Sequence, residues 1–222
     1  MKACFIGHRK VENDDRVSSA LKEVVETLIR LGFKKFLFGS KSKFDTLSWE
    51  VVTGLKKKYP FIQRIYVRAG NRYIDKSYEE YILRSYEETY CSPKLEKRGR
   101  FSYVERNCEM IDRSICCVFY YNENYTPFSE CHGRESRKKS GTKIAYEYAV
   151  KKKKQVINVY SAETAGAARN GRHGRRSFSL SRAFLSKNFG EGVVGFCKIS
   201  LFHLESLTNA AERAILLLLQ KI

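Results

Sequence analysis

The sequence predicts an α/β fold in which a mostly parallel sheet carries helices on both faces. Short apolar runs, typical of strands buried on both sides, alternate with longer segments whose apolar residues recur at helical spacing. This alternation continues from residue 1 to about residue 160 and then stops. Because repeated strand–helix units connect into a parallel sheet, we expect a Rossmann-like, doubly wound domain.

The first half of this region contains three predicted strands and two predicted helices. The strands are 2–6 (KACFI), 33–38 (FKKFLF) and 62–67 (IQRIYV). Asn13 or Asp14 is expected to cap the first helix, and Gly32 to end it. Apolar residues from Phe44 to Leu55 mark the second helix.

The second half continues the pattern. Helices are predicted at 77–90, 103–112 and 142–153, and strands at 114–120 (SICCVFY) and 155–160 (QVINVY). The segment 77–90 is rich in tyrosine and glutamate, which favours a helix at the surface. The run SICCVFY is the strongest strand signal in the chain.

The composition changes after Tyr160, which predicts a domain boundary near residue 161. All fourteen tyrosines and every aspartate lie at or before Tyr160. The stretch 165–176 is small, glycine-rich and basic, as flexible linkers are. We therefore predict a domain at 1–160 and a C-terminal extension at 161–222 that is either a small accessory element or partly disordered.

The net charge of +18 is the strongest compositional signal. It predicts attraction to phosphate groups, whether on a nucleotide or on a nucleic acid. Solubility is the alternative interpretation, because lysine-rich helix ends such as 151–154 are usually solvated and also complement the helix dipole.

Neither a membrane segment nor a metal site is predicted. No apolar stretch is long enough to span a bilayer, and the apolar run at the N-terminus is too short for a signal peptide. The seven cysteines include no CxxC pair, which fits a reducing compartment and gives no metal-ligand spacing. We therefore expect a cytoplasmic protein without a metal or cofactor.

The predicted sheet brings several polar segments to one edge, where ligands of such folds bind beyond the carboxyl ends of the strands. These segments are 7–9 (GHR), 39–45 (GSKSKFD), 105–107 (ERN) and 138–142 (KKSGT). The turn Ser140-Gly141-Thr142 opens a helix, and free backbone N–H groups there form an anion site. Simple capping by Ser140 or Thr142 explains the same turn without a ligand. Likewise, Asp45 could cap a helix and Arg106 could be an exposed helix arginine.

These segments together resemble a known family. The motifs CFIGHR (4–9), FGSKSKFDTLSWEVV (38–52), YVERNCEMIDRS (103–114) and KSGTKIAYEYAVKKKKQVINVY (139–160) are similar to the YpsA-like branch of the SLOG superfamily. That superfamily is related to the LOG-type (lysine decarboxylase-like) proteins and to DprA. The resemblance covers about residues 1–160.

The resemblance implies a Rossmann-like domain that binds or senses a nucleotide or an ADP-ribose-like ligand in a regulatory role. Arg9 and Arg106 would hold phosphates. By position, the implied pocket consists of Gly7, Arg9, Gly39, Ser40, Asp45, Arg106, Asn107, Ser140, Gly141 and Thr142. Self-association is also implied, since SLOG relatives often form dimers or larger assemblies.

Two other functions follow from the same relatives. LOG-active proteins release a base from a nucleoside monophosphate with an arginine and the glutamate of a PGGxGTxxE motif. Here Arg106 matches the arginine, but the first carboxylate after the Ser-Gly-Thr turn is Glu147, most of a helical turn too late, which weighs against hydrolysis. DprA-like nucleic-acid binding is the other alternative, supported by the charge. The spread of the aromatic residues indicates no stacking platform.

Overall fold

The computed structural model describes residues 1–39, 42–70, 76–91, 102–125 and 139–160. This part of the chain contains six strands and five helices. In chain order they are β1 Lys2–Gly7, α1 Asp14–Arg30, β2 Lys35–Phe38, α2 Lys43–Lys56, β3 Gln63–Arg68, α3 Lys76–Ser85, β4 Glu88–Cys91, α4 Ser102–Arg113, β5 Cys116–Tyr120, α5 Gly141–Lys151 and β6 Gln155–Asn158. The C-terminal extension predicted at 161–222 lies outside these residues.

The strands form one parallel sheet with the order β4-β3-β2-β1-β5-β6. The first four strands progress outward in one direction, and the chain then returns to place β5 beside β1, with Gly7 opposite Tyr120. The strand order therefore reverses between β1 and β5. A doubly wound α/β sheet places a crevice at this reversal, beyond the carboxyl ends of the two strands.

Both faces of the sheet are packed, as the continuous apolar runs predicted. Cys4 and Ile6 of β1 belong to a core cluster with Met110 of α4 and Ala145 of α5. Because side chains alternate along a strand, Phe5 faces the other side, where its ring stacks with those of its β2 neighbours. Helices α1 and α2 contact each other and α2 contacts β1, so these helices cover this second face. The prediction of a Rossmann-like α/β domain is confirmed.

One predicted element is wrong at its end. The segment predicted as a helix over 77–90 is helical only to Ser85 and then forms the edge strand β4. Tyr90 pairs with Val67 of β3 in this strand. The residues Glu88–Cys91 include threonine and tyrosine, which favour strands, and backbone pairing with β3 decides the outcome. The tyrosine and glutamate content favoured one continuous surface helix, so the strand that begins soon after Ser85 was not predicted.

The described residues show no metal-binding constellation and no candidate for a membrane span. Within these ranges, histidine, cysteine, aspartate and glutamate side chains do not gather in a group able to hold an ion. None of the helices described here combines the length and apolar character that crossing a bilayer requires. Cys116 lies in the core, where burial raises the pKa of its thiol.

A partly buried ion pair, in which Arg64 is buried and Glu87 is not, joins the sheet to the turn before β4. The side chain of Arg64, which is buried, donates to Glu87 Oε1 at 2.6 Å and to Thr53 Oγ1 at 2.9 Å. Glu87 Oε2 also accepts the backbone N–H of Arg64 at 2.6 Å. Burial by itself would raise the pKa of Glu87, but the hydrogen bonds and charge of Arg64, together with Lys56, lower it.

Glu87→Gln is expected to lower the free energy of unfolding by about 2 kcal/mol, because it leaves the Arg64 guanidinium buried without its counter-charge. Urea unfolding at neutral pH measures this loss. Glu88→Gln is the matched control, since Glu88 pairs with Lys35 at the surface and is expected to contribute less than about 1 kcal/mol. Equal losses in the two variants would contradict a special role for the buried pair.

Candidate functional site

The candidate site lies at the carboxyl edge of the sheet, around the end of β2. Gly39 follows this strand, Asp45 occupies the first turn of α2, and Arg106 projects from α4. These three residues come from different elements, and the fold brings them together as the topology predicted. Their neighbourhood forms the most strongly organised polar cluster at this edge among the described residues.

Arg106 is buried in this cluster, with 3% of its surface exposed. Its guanidinium donates from Nη1 to the carbonyl oxygen of Gly39 and from Nη2 to Asn107 Oδ1 at 3.1 Å. Its carbon Cζ lies 5.5 Å from the centre of the Tyr103 ring. Burial lowers the pKa of Arg106, and the charge of Asp45 opposes that shift. Arg106 is therefore not an exposed helix arginine but a buried cation at the sheet edge.

The Nε atom of Arg106 is buried and has no hydrogen-bond partner among the described residues. Gly39 explains how the side chain reaches this position. A Cβ at Gly39 would lie 2.7 Å from Arg106 Nε and 2.6 Å from Met110 Sδ. The missing side chain of Gly39 thus makes room for the arginine.

Asp45 and Ser42 form a reciprocal cap at the start of α2. Ser42 Oγ donates to Asp45 Oδ2 at 2.7 Å and accepts the backbone N–H of Asp45 at 3.1 Å. The Arg9 carbonyl accepts the N–H of Lys43 at 3.1 Å, while the Arg9 side chain is exposed. Two N–H groups of the first turn of α2 are thus bonded within the chain. Asp45, only 4% exposed, combines a capping role with a charge beside Arg106.

Gly7 and the start of α5 differ in what surrounds them. A Cβ at Gly7 would lie 2.4 Å from Phe44 Cδ1, so a protein side chain already fills that space. Ser140 caps α5 by accepting the N–H of Lys143 at 3.1 Å, as the capping interpretation expected. No atom of the described residues lies within 4 Å of a Cβ position at Gly141, and Thr142 beside it is buried. Ser40 lies outside the described residues.

Glu147 does not lie at the first turn of α5. It is six residues beyond Gly141, which corresponds to about 9 Å along the helix axis. Its carboxylate accepts from Lys139 Nζ at 2.7 Å, and both side chains are exposed. This carboxylate is therefore engaged with a surface lysine.

His8 also lies at this edge, and no function was predicted for it from the sequence. It follows β1 at the strand-order reversal and is 2% exposed. His8 Nε2 lies 3.0 Å from the backbone nitrogen of Asn122 and 3.2 Å from its carbonyl oxygen, so the Asn122 backbone offers this atom both a donor and an acceptor. Nδ1 is buried and has no hydrogen-bond partner among the described residues. The ring stacks on Tyr125 at 3.9 Å, and burial lowers its pKa to about 4.

Part of the lysine run at 151–154 has a structural role. Lys154 Nζ donates to the carbonyl oxygens of Asp112 and Ser114 at 3.0 and 2.8 Å. Lys152 Nζ lies 3.8 Å from Asp112 Oδ1 of α4 and 5.3 Å from the centre of the Tyr148 ring. These lysines hold the end of α4 against α5, so the run is not simply a free cationic patch.

An aromatic cavity adjoins Asp45 on the side of α2 and α3. Its rings are contributed by residues far apart in the sequence, from Trp49 to Tyr86. The sequence indicated no such platform, because the aromatic residues show no local clustering. The fold gathers them at one place.

Comparison with known proteins adds one structural likeness. The chain is similar to the X-ray structure of DNA processing protein A (DprA) from Streptococcus pneumoniae, with 14% identity and a TM-score of 0.47. The likeness covers 77% of this chain and 56% of that one, so the chain spans little more than half of the length of DprA. No protein-family model and no curated protein matches this chain. The YpsA-like assignment stays a prediction.

Proposed function

We propose that the domain at residues 1–160 binds a nucleotide or a nucleotide-derived ligand of the ADP-ribose class at the carboxyl edge, and that the chain acts as a sensor or regulator. The observation that carries this proposal is the buried guanidinium of Arg106 beside Gly39. Its hydrogen bonds go to neutral groups, the Gly39 carbonyl and the Asn107 amide. The charge of Asp45 acts on Arg106 as well, but the buried Nε of Arg106 has no hydrogen-bond partner among the described residues and can donate to an anionic group such as a phosphate.

The start of α5 supports the same proposal. The side chain of Ser140 satisfies the N–H of Lys143, while no atom of the described residues lies within 4 Å of a Cβ position at Gly141. The helix dipole favours negative charge at this end, and the absence of a side chain at Gly141 lets a phosphate approach the backbone closely. Arg9, exposed at the end of β1, supplies a further positive charge at the same edge.

Nucleoside-monophosphate hydrolysis is the second candidate, because Arg106 and Asp45 lie together at this edge. The position of Glu147 argues against it, since that carboxylate is about 9 Å along α5 and is paired with Lys139. Incubation with AMP and CMP tests it directly. Release of free base would replace the binding proposal with a catalytic one.

Nucleic-acid binding is the third candidate and rests on the net charge of +18. The structural roles of Lys152 and Lys154 reduce the share of this charge that is free for phosphates. A gel-shift titration of single-stranded DNA over a range of salt concentrations tests this candidate. Binding that weakens steeply with salt would support it.

Arg106→Gln is expected to weaken binding of ADP-ribose or AMP at least tenfold, because charge-assisted hydrogen bonds contribute about 1.5–3 kcal/mol. Isothermal titration calorimetry measures the affinities, and mass spectrometry of the purified protein first identifies any co-purifying ligand. Arg113→Gln is the matched control, since Arg113 lies on the same helix but pairs with Glu109 at the surface. Unchanged affinity in a folded Arg106→Gln protein would reject the site proposed here.

A further inference from the structure

The cavity beside Asp45 is lined mainly by aromatic rings. It lies between α2, β3 and α3, and its volume is about 310 Å³. The rings belong to Trp49, Tyr66, Tyr78, Tyr81 and Tyr86, while Asp45 and Thr46 complete the wall. This volume is at the lower end of small-molecule sites, which span about 300–1,000 Å³, so the cavity suits a compact ligand.

The orientation of the rings favours a rounded ligand over a flat one. The Tyr66 and Tyr86 rings are tilted by 45° at 5.2 Å, and the Trp49 and Tyr86 rings by 59° at 6.4 Å. Tyr78 and Tyr81 are nearly parallel, but their centres are 6.0 Å apart. A base stacked between two rings needs parallel faces about 7 Å apart, twice the optimal carbon–carbon separation. Rings that line a cavity at different tilts to one another instead suit a compact, rounded group.

The charge of the cavity wall favours a cation. Of the described residues that line the cavity, one is an acidic residue, Asp45, and none is a lysine or an arginine. Burial raises the pKa of Tyr78 and of Tyr86, so their hydroxyl groups stay neutral. The wall therefore combines one buried carboxylate with the negative faces of aromatic rings, which attract organic cations.

The two nearby arginines are already engaged. The Arg64 guanidinium lies 5.5 Å from the centre of the Trp49 ring, and its charge is balanced by Glu87. Arg106 bonds to Gly39 and Asn107 and does not line the cavity. Trp49 thus carries one cation–π contact within the protein, and the cavity adds further rings for a cation from outside.

We propose that this cavity binds a small organic cation with a methylated or quaternary ammonium group. The methyl groups contact the tilted rings, and the Asp45 carboxylate, whose charge also acts on Arg106, adds a negative charge at the wall. Tyr81, which is 52% exposed, forms the part of the wall nearest to solvent. The proposal is independent of nucleotide binding at the carboxyl edge, although Asp45 borders both places.

Trp49 provides the readout, because it is the single tryptophan of the chain. Choline is titrated into the full chain while tryptophan emission is followed, and its neutral isostere 3,3-dimethylbutan-1-ol is titrated in parallel. Saturable binding of choline at least about fivefold tighter than the isostere is expected, since cation–π contacts contribute about 1 kcal/mol. Equal affinities would overturn the proposal, because the cavity would then be merely apolar.

Variants at the cavity wall complete the test. Tyr81→Leu is expected to weaken choline binding about fivefold, and Tyr81→Phe to retain it, because only the latter keeps the ring. Phe61→Leu is the control, since Phe61 is equally exposed, at 53%, but lies outside the cavity. A response of Trp49 to adenosine or cytidine without one to choline would reject the cation and identify a base site. Absence of any response to choline would also overturn the proposal.

Discussion

Acidification from pH 6.5 to pH 4 is expected to destabilise this domain by about 3 kcal/mol through His8 alone. Burial lowers the pKa of His8 to about 4 in the folded state, whereas the unfolded chain binds this proton near pH 6.5. Between these values the unfolded state holds more protons than the folded state. The stability associated with the neutral ring is therefore complete above pH 6.5 and is lost progressively as the pH falls towards 4.

Urea unfolding at several pH values between 7 and 4 measures this loss, and His8→Gln separates it from other groups. The Gln amide oxygen can accept the N–H of Asn122 in place of Nε2, but it does not titrate. We therefore expect the variant to have a flatter pH profile than the wild type above pH 4.5. The carboxylates, including Glu87 with its lowered pKa, contribute to both profiles below that pH. Parallel profiles for the two proteins would contradict the assignment to His8.

The parts of the fold that the sequence predicted are those governed by local signals. Apolar runs identified β1, β2, β3, β5 and β6, and a glycine marked the end of α1 at Gly32, which adopts a positive φ of 88°. The strand β4 has no such run, because an edge strand buries little of its surface. Its identity depends on the pairing of its backbone with β3, which is a non-local contact.

The convergence at the candidate site was predictable for a topological reason. Parallel strands end at one edge, so Gly39 and the start of α2 had to meet there, and the N-terminal half of α4 brings Arg106 to the same place. The burial of His8 and the aromatic cavity were not predictable, because each depends on side chains from several elements. The sequence shows that such residues exist but not which of them become neighbours.

The glycines at this edge show the same difference between what the local sequence predicts and what contacts between distant residues decide. Gly7 and Gly39 were predicted to belong to the ligand pocket, yet Phe44 and Arg106 occupy the spaces beside them. At Gly39 the neighbour is Arg106, which is itself a candidate ligand-binding residue, so close packing and ligand binding both explain this glycine. At Gly7 the neighbour is an aromatic ring in the core, and the two explanations can be separated by experiment.

Gly7→Ala is expected to lower the free energy of unfolding by about 3 kcal/mol, the upper end of ordinary overpacking. The new Cβ would lie 2.4 Å from Phe44 Cδ1 and 2.7 Å from Phe44 Cβ, and the latter atom cannot move without the backbone of α2. Gly54→Ala is the control glycine, because its Cβ meets no atom within 4 Å. In the interior of α2 this change is expected to stabilise the domain by about 0.5–1 kcal/mol.

A double-mutant cycle with Phe44→Ala identifies the cause. Removal of the ring relieves the two shortest contacts of the new Cβ, so the double variant should lose about 1–2 kcal/mol less than the sum of the single variants. Additive losses would show that Phe44 is not the reason for the glycine. If Gly7 instead served ligand approach, Gly7→Ala would leave the unfolding free energy unchanged and weaken ADP-ribose binding. Measured together, stability and affinity therefore decide whether this strand end is shaped by packing or by the ligand.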